Sequence, residues 1–408
     1  MSADSNSPRA IALGYISNSH FHRRYTLPAT GEHDSLTFTY ADVGATPSST
    51  NLNPRTILFM PGMFASRYLG VFIHAIAEKH GVRVLIVDRL FHSSQNPWSF
   101  SMLTIQHSPG MGNSTDVPLD QRLSIWIELV PRLLAHLEVE HVALVSHCAG
   151  TIYLLNTLFH CRDLLHPERP FVAFLAPWVH PSHSHVTSMQ MAQYVPVKAF
   201  SIWNLIPKFL LLKAGPAFTS SGVAITKTSD VISSGSGFSS GEDNTTELER
   251  NRRQIENEYG LSRDVQAELD SLMFQFMFEE STVGANSEAL QCLRKGSDSG
   301  KTWGKCDDYG TYVKELATLE GRRHRRAGEE KLKVRAYFAG NDSMIGKAGQ
   351  EYVEECWACN TREFKETIDF ESRTFPELDH DSLVQSAEVL KSIFLHAGGT
   401  TPDGFESN

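Results

Sequence analysis

The stretch HVALVSHCAGTIYLL, residues 141–155, constrains this chain more than any other. Its first part, His141–Ser146, is an apolar run of strand length, and Ala149–His160 carries helical spacing. A sharp turn at Ser146-His147-Cys148-Ala149-Gly150 must join the two. The residue at the apex of such a turn sits in a strained backbone conformation. Its neighbours two places away must be small, because strand and helix approach closely there. Ser146 and Gly150 meet that demand. Cys148 takes the apex, at a helix start whose free N–H groups and partial positive charge favour an anion.

The surroundings repeat the same alternation. Thr56–Met60, Val82–Val87, Phe171–Leu175, Lys333–Phe338 and Thr367–Arg373 read as strands. Leu69–His80, Leu119–Leu137 and Ser382–Phe394 have helical periodicity. Phe21–Leu27 and Leu36–Asp42 suggest an antiparallel opening hairpin. Continuous apolar strands interleaved with helices imply an α/β fold: a mostly parallel central sheet with helices on both faces. Residues 1–20 are polar and expected to be loose, as is a tail at 397–408. The rhythm breaks over 181–304, which reads as a helical lid inserted between two core portions, 21–180 and 305–396. Within it, Ser262 is an expected N-cap for a helix through Val265, Leu269, Leu272 and Phe276. The segment 220–246 is rich in Ser, Gly and Thr, a composition that buries too little apolar surface to order itself. Asp308–Leu319 reads as a returning helix, and Gly321–Arg326 as a solvated basic loop.

The turn at Cys148 resembles the G-x-S-x-G nucleophile elbow of the α/β-hydrolase superfamily. Cysteine replaces the usual serine, and Ser146 the usual first glycine. The resemblance covers about residues 21–180 and 305–396. It implies an acid in the loop after a late strand, where Asn341-Asp342-Ser343 follows KVRAYFAG, and a histidine after the last strand, where Asp379-His380-Asp381 stands. The order Cys148, Asp342, His380 is the family order. It also implies an oxyanion hole from the backbone N–H groups of Met63 and Ala149. Pro61 stands where the family has a histidine, and the loop from Asp88 matches the family's D-x-x-G-x-G-x-S loop only loosely. Plainer readings are a small buried cysteine, Asn-Asp turn chemistry and a tight turn at Pro61-Gly62. A helix start and the adjacent His147 would favour the Cys148 thiolate. Phe64, His147, Trp178, Trp203 and Phe276 are candidate pocket residues; the lid aromatics could equally be its own core.

Other motifs point nowhere as firmly. His180-Pro-Ser-His183-Ser-His185 has metal-like spacing but no nearby carboxylate, and Cys356-Trp-Ala-Cys359 lacks a second pair, so no metal site is expected. The net charge of −10 disfavours a nucleic-acid partner. No uninterrupted apolar stretch is long enough for a transmembrane helix, though the lid's mixed apolar and basic residues leave room for a weak interfacial contact. The absence of a secretory leader suggests a cytoplasmic protein with reduced cysteines. Three functions follow from these residues. The first is a cofactor-free hydrolase of an ester, lactone or thioester with an apolar acyl group, acting through a cysteine-bound thioester. The second is an acyltransferase using the same intermediate. The third is a non-catalytic ligand receptor. The oligomeric state is not legible.

Overall fold

The computed structural model describes residues 6–48, 53–89, 114–115, 117–202, 242–280, 284–296, 302–327, 330–359 and 361–401. The apolar runs become strands: β1 (Arg23–Leu27), β2 (Leu36–Gly44), β3 (Arg55–Met60), β4 (Val82–Val87), β5 (Val142–His147), β6 (Phe171–Leu175), β7 (Leu332–Asn341) and β8 (Ile368–Asp379). They form one sheet in the order β1-β2-β4-β3-β5-β6-β7-β8. β2 runs antiparallel to β1 and β4, and the remaining pairs are parallel. Every residue of β4, β5 and β6 is buried. Neither face of the central sheet is therefore open to water, which is why these strands are apolar throughout rather than alternating.

Helices cover the sheet, those near Leu69–His80, Leu119–Leu137, Ala149–His160 and Asp308–Leu319 falling where the periodicity placed them. They are α1 (Pro8–Ile16), α2 (Gly70–Lys79), α3 (Arg122–His136) and α4 (Gly150–His160), then α5 (Pro181–Ser184) and α6 (Thr187–Ala192). The inserted region continues with α7 (Glu242–Tyr259), α8 (Arg263–Glu279) and α9 (Gly284–Cys292). α10 (Tyr309–Ala327), α11 (Gly346–Trp357), α12 (Arg362–Thr367), α13 (Ser382–Gln385) and α14 (Ala387–His396) follow. Ser262 is the N-cap residue of α8, in extended conformation, though its side chain makes no capping bond. Ser386 ends α13 and caps α14, accepting from the Val389 N–H, so the expected single closing helix is broken in two.

Three expectations are corrected. Residues 8–16 are helical, not loose: Ser7 caps the Ala10 N–H, Pro8 supplies a preset φ, and Ala12 and Ile16 bury on one face. The helix packs on α8, with Arg9 2.9 Å from Glu268. The basic run Gly321–Arg326 continues α10 rather than forming a loop. A buried ion pair, Arg162 with Glu320 at 2.8 Å, anchors that helix just ahead of the run. The start of the C-terminal tail is docked, the Thr400 N–H donating to His80 O at 2.9 Å. The Ser/Gly-rich stretch 220–241 and Trp203 lie outside the described residues, as do the side chains of 242–246. No described helix is long and apolar enough to cross a membrane.

Candidate active site

β5 ends at His147 and α4 begins at Gly150, leaving Cys148 and Ala149 at the turn, with Cys148 at φ +48°. Such a left-handed conformation is costly for a residue with a side chain and persists only where its surroundings impose it. Two backbone bonds do so. The Cys148 N–H donates to Leu175 O at 3.1 Å, and Cys148 O accepts from Trp178 N–H at 3.2 Å. Gly150 explains the close approach: a Cβ there would meet Met60 O at 2.0 Å. Cys148 is 3% exposed and lines a cavity of about 350 Å³.

The ends of β7 and β8 deliver the other two groups. Their register pairs Asn341 with Asp379, which sets the residue after each strand, Asp342 and His380, side by side. Asp342 Oδ1 accepts the N–H groups of Met344 and Ile345, both at 2.8 Å, and Oδ2 lies 2.8 Å from His380 Nδ1. The His380 turn is fixed by a reciprocal pair. Ser382 N–H donates to Asp379 Oδ1 at 2.7 Å, and Asp379 N–H donates to Ser382 Oγ at 2.8 Å.

Burial alone would push the His380 pKa down; Asp342 and then Cys148 outweigh it and hold the ring well above its ordinary value. Burial raises the Asp342 carboxyl, but His380 and the two N–H groups prevail and hold it below the usual carboxylate range. An ionised Asp342 can only accept, so the proton between them belongs on His380 Nδ1. His380 Nε2 is buried without a hydrogen bond of ordinary geometry, while Cys148 is among the groups that hold the ring's pKa up. The contact is thus electrostatically effective but short of an aligned hydrogen bond, a looseness common in unliganded sites. A ring oriented in this way can take a proton from a thiol.

His147 behaves differently from expectation. Its Nε2 lies 3.0 Å from the His380 carbonyl oxygen, which can only accept. Burial, with His380 next, lowers its pKa to about 3. A neutral His147 supplies no cation to favour the thiolate; it buttresses the turn carrying His380. The N–H groups of Met63 and Ala149 donate to no acceptor among the described residues. Ala149 follows Cys148 in the chain, and Gly62, beside Met63, packs so tightly on the turn that a Cβ there would meet His147 Nδ1 at 2.8 Å and Cys148 Cβ at 3.2 Å.

Phe64, His147 and Trp178 line the cavity, but Phe276 does not. The i, i+4 pairs Met273/Met277 and Phe274/Phe278 face it instead, leaving Phe276 against the Tyr68 ring at 5.9 Å. The sequence also left Arg89, Glu288 and Cys292 unread. Arg89 and Glu288 form a buried pair behind the Pro61–Phe64 loop, and Cys292 lines the cavity with Cys148. An arginine directly after a strand-ending aspartate, and a lone glutamate in GANSEALQC, were the available signals.

His180, His183 and His185 do not converge: His180 pairs with Ser182 and Gln193, and His183 stacks on Tyr352 at 3.8 Å. All six cysteines are free. One atom each from His147, His380 and Asp381 lies within 4.8 Å of the others, but His147 Nε2 is taken by a carbonyl, and three donors fall short of a closed tetrahedral zinc site.

No protein-family model matches the sequence, and no curated protein matches it. Solved structures do match in fold. The crystal structure of DBJA is 10% identical, with TM-score 0.50 over 92% of this chain and 96% of that one. Epoxide hydrolase VrEH1 from Vigna radiata is 11% identical, with TM-score 0.48 over 93% and 98%. A probable hydrolytic enzyme from Pseudomonas aeruginosa PAO1 is 15% identical, with TM-score 0.45 over 93% and 95%.

Proposed function

We propose that this chain, which has the α/β-hydrolase fold, is a cofactor-free acyl hydrolase with Cys148 as nucleophile, acting on an ester, lactone or thioester of an apolar acyl group. One observation carries the reading. Cys148 is held at φ +48° on a strand-to-helix turn, beside an imidazole whose far nitrogen is fixed by a buried carboxylate. A structural cysteine needs neither the strain nor the oriented ring.

The chemistry follows from the geometry. The Cys148 S–H proton passes to His380 Nε2 as sulfur bonds to the acyl carbon. The carbonyl π electrons move to oxygen, where the N–H groups of Met63 and Ala149 receive the charge. The carbonyl re-forms, the leaving group departs with the proton from His380, and the acyl group remains on sulfur as a thioester. Water then loses a proton to His380 Nε2 and adds to the thioester carbon; collapse returns the thiol and releases the acid. Asp342 keeps His380 in the tautomer that makes each transfer possible. The apolar cavity wall, built from the Met and Phe side chains of α8, suits an apolar acyl group.

Stopped-flow kinetics with 4-nitrophenyl acyl esters test this. A burst of one 4-nitrophenol per chain is expected whenever deacylation is the slower step, and Cys148→Ala should remove both burst and turnover. Undiminished turnover in Cys148→Ala rejects the nucleophile role. Binding of the esters with no release by the native chain favours a receptor.

A further inference from the structure

The loop that carries the Met63 N–H is tied from behind. Arg89, 2% exposed, follows the end of β4. Its Nη1 donates to Pro61 O, and its Nη2 donates to Gly62 O at 2.7 Å. A peptide unit is planar and trans, so its N–H and C=O point in opposite directions. Gly62 C=O and Met63 N–H belong to one such unit. Anchoring the carbonyl on Arg89 therefore sets the direction of the Met63 N–H at the other end.

Glu288, 1% exposed, reaches this place from α9 in the inserted region. Its Oε1 lies 2.5 Å from Arg89 Nη2, and the Phe64 N–H acts on the same carboxylate. Phe64 itself is held at φ +64°. The turn is thus gripped at two carbonyls by the guanidinium, and the carboxylate backs that guanidinium without an aligned hydrogen bond of its own to the turn. A buried pair placed only to hold the lid down would have no reason to direct two hydrogen bonds at the carbonyls of Pro61 and Gly62.

We infer that Arg89 and Glu288 are positioning residues that hold the Pro61–Phe64 turn so that the Met63 N–H meets the oxyanion formed during attack by Cys148. The lid segment thereby completes the site rather than merely covering it. This rests on the acyl-cysteine reading.

The test uses an alkyl trifluoromethyl ketone labelled with carbon-13 at its carbonyl. The Cys148 sulfur adds to that carbon, giving a hemithioketal whose oxygen occupies the oxyanion position. Its ionisation, followed by carbon-13 NMR against pH, reports how well the donors are placed. Arg89→Lys keeps the charge but cannot serve two carbonyls and Glu288 in one plane. Glu288→Gln keeps an acceptor for Phe64 but loses the ion pair. Both variants should raise the hemithioketal pKa. They should also lower kcat for 4-nitrophenyl esters, by up to about 100-fold for Arg89→Lys, with KM nearly unchanged. Folded variants with native kcat and native hemithioketal pKa overturn the inference. Should both variants fail to fold, the Met63 amide proton of the native chain, labelled with nitrogen-15, decides. A downfield move on adduct formation supports it, and an unmoved resonance overturns it. A native chain that forms no hemithioketal on Cys148 overturns the acyl-cysteine reading and this one together.

Discussion

At the residue scale the site depends on backbone geometry as much as on the three side chains. Gly150→Ala would force a Cβ to within 2.0 Å of Met60 O, a backbone atom that cannot swing aside. We expect it to cost about 1–3 kcal/mol in urea unfolding, the range for an overpacked interior, and to displace Cys148. Asp342→Asn keeps the shape but leaves the His380 tautomer unset, and kcat should fall by about 10⁴-fold. The same pair makes a pH prediction. The Asp342 pKa is lowered on folding, so its stabilisation holds above the ordinary carboxylate range and is lost as pH falls through its folded value. The His380 pKa is raised, so its stabilisation holds below the ordinary imidazole value and is lost as pH rises through its folded value. The stability gap between the native chain and Asp342→Asn should therefore peak between those two ordinary values and shrink on either side. A gap independent of pH in denaturant titrations would contradict the buried pair.

At the element scale, helix α1 shows where local signals were present but outweighed. Ser7-Pro8 is a helix-start signature, yet the polar composition around it suggested a loose end. Ala12 and Ile16 become core only because α8, over two hundred residues later, offers a surface to cover. Ile16→Ala should cost about 2–5 kcal/mol, as for other large-to-small core changes; an unchanged urea midpoint would mean that α1 contributes no core. Cys148, Asp342 and His380 were legible because each follows a strand, and strand ends are readable from apolar runs. The Arg89–Glu288 pair was not, since its meaning lies in a contact between segments 199 positions apart, which neither the arginine after Asp88 nor the glutamate of GANSEALQC reveals by itself. Phe276 was misplaced for a related reason. Periodicity identifies an apolar helix but not which part of a wide apolar face meets the cavity and which meets Tyr68.

At the scale of the whole molecule, the sheet gathers the ends of β3, β5, β7 and β8 at one edge and the inserted region closes over them. Two carboxylates of the inserted region reach core arginines there: Glu280 Oε1 lies 2.5 Å from Arg67 Nη2, and Glu288 makes the same contact with Arg89. Cutting the Glu288 pair leaves buried Arg89 short of its partner, a costly state, whereas Arg67 would keep Asp88 at 2.6 Å. The α8 wall of the cavity is thus tied to the core by the ion pair at its C-terminal end. Its role as a wall for acyl groups still depends on the sulfur below it forming a bond. Intact-protein mass spectrometry after rapid acid quench, on chains mixed with a panel of apolar acyl thioesters and esters, tests that most directly. A single acyl adduct is expected that maps to the peptide containing Cys148, disappears in Cys148→Ala and accumulates when His380→Ala is offered an activated ester. Turnover of any of these substrates with no adduct on Cys148 at any quench time, and undiminished in Cys148→Ala, would contradict the nucleophile role.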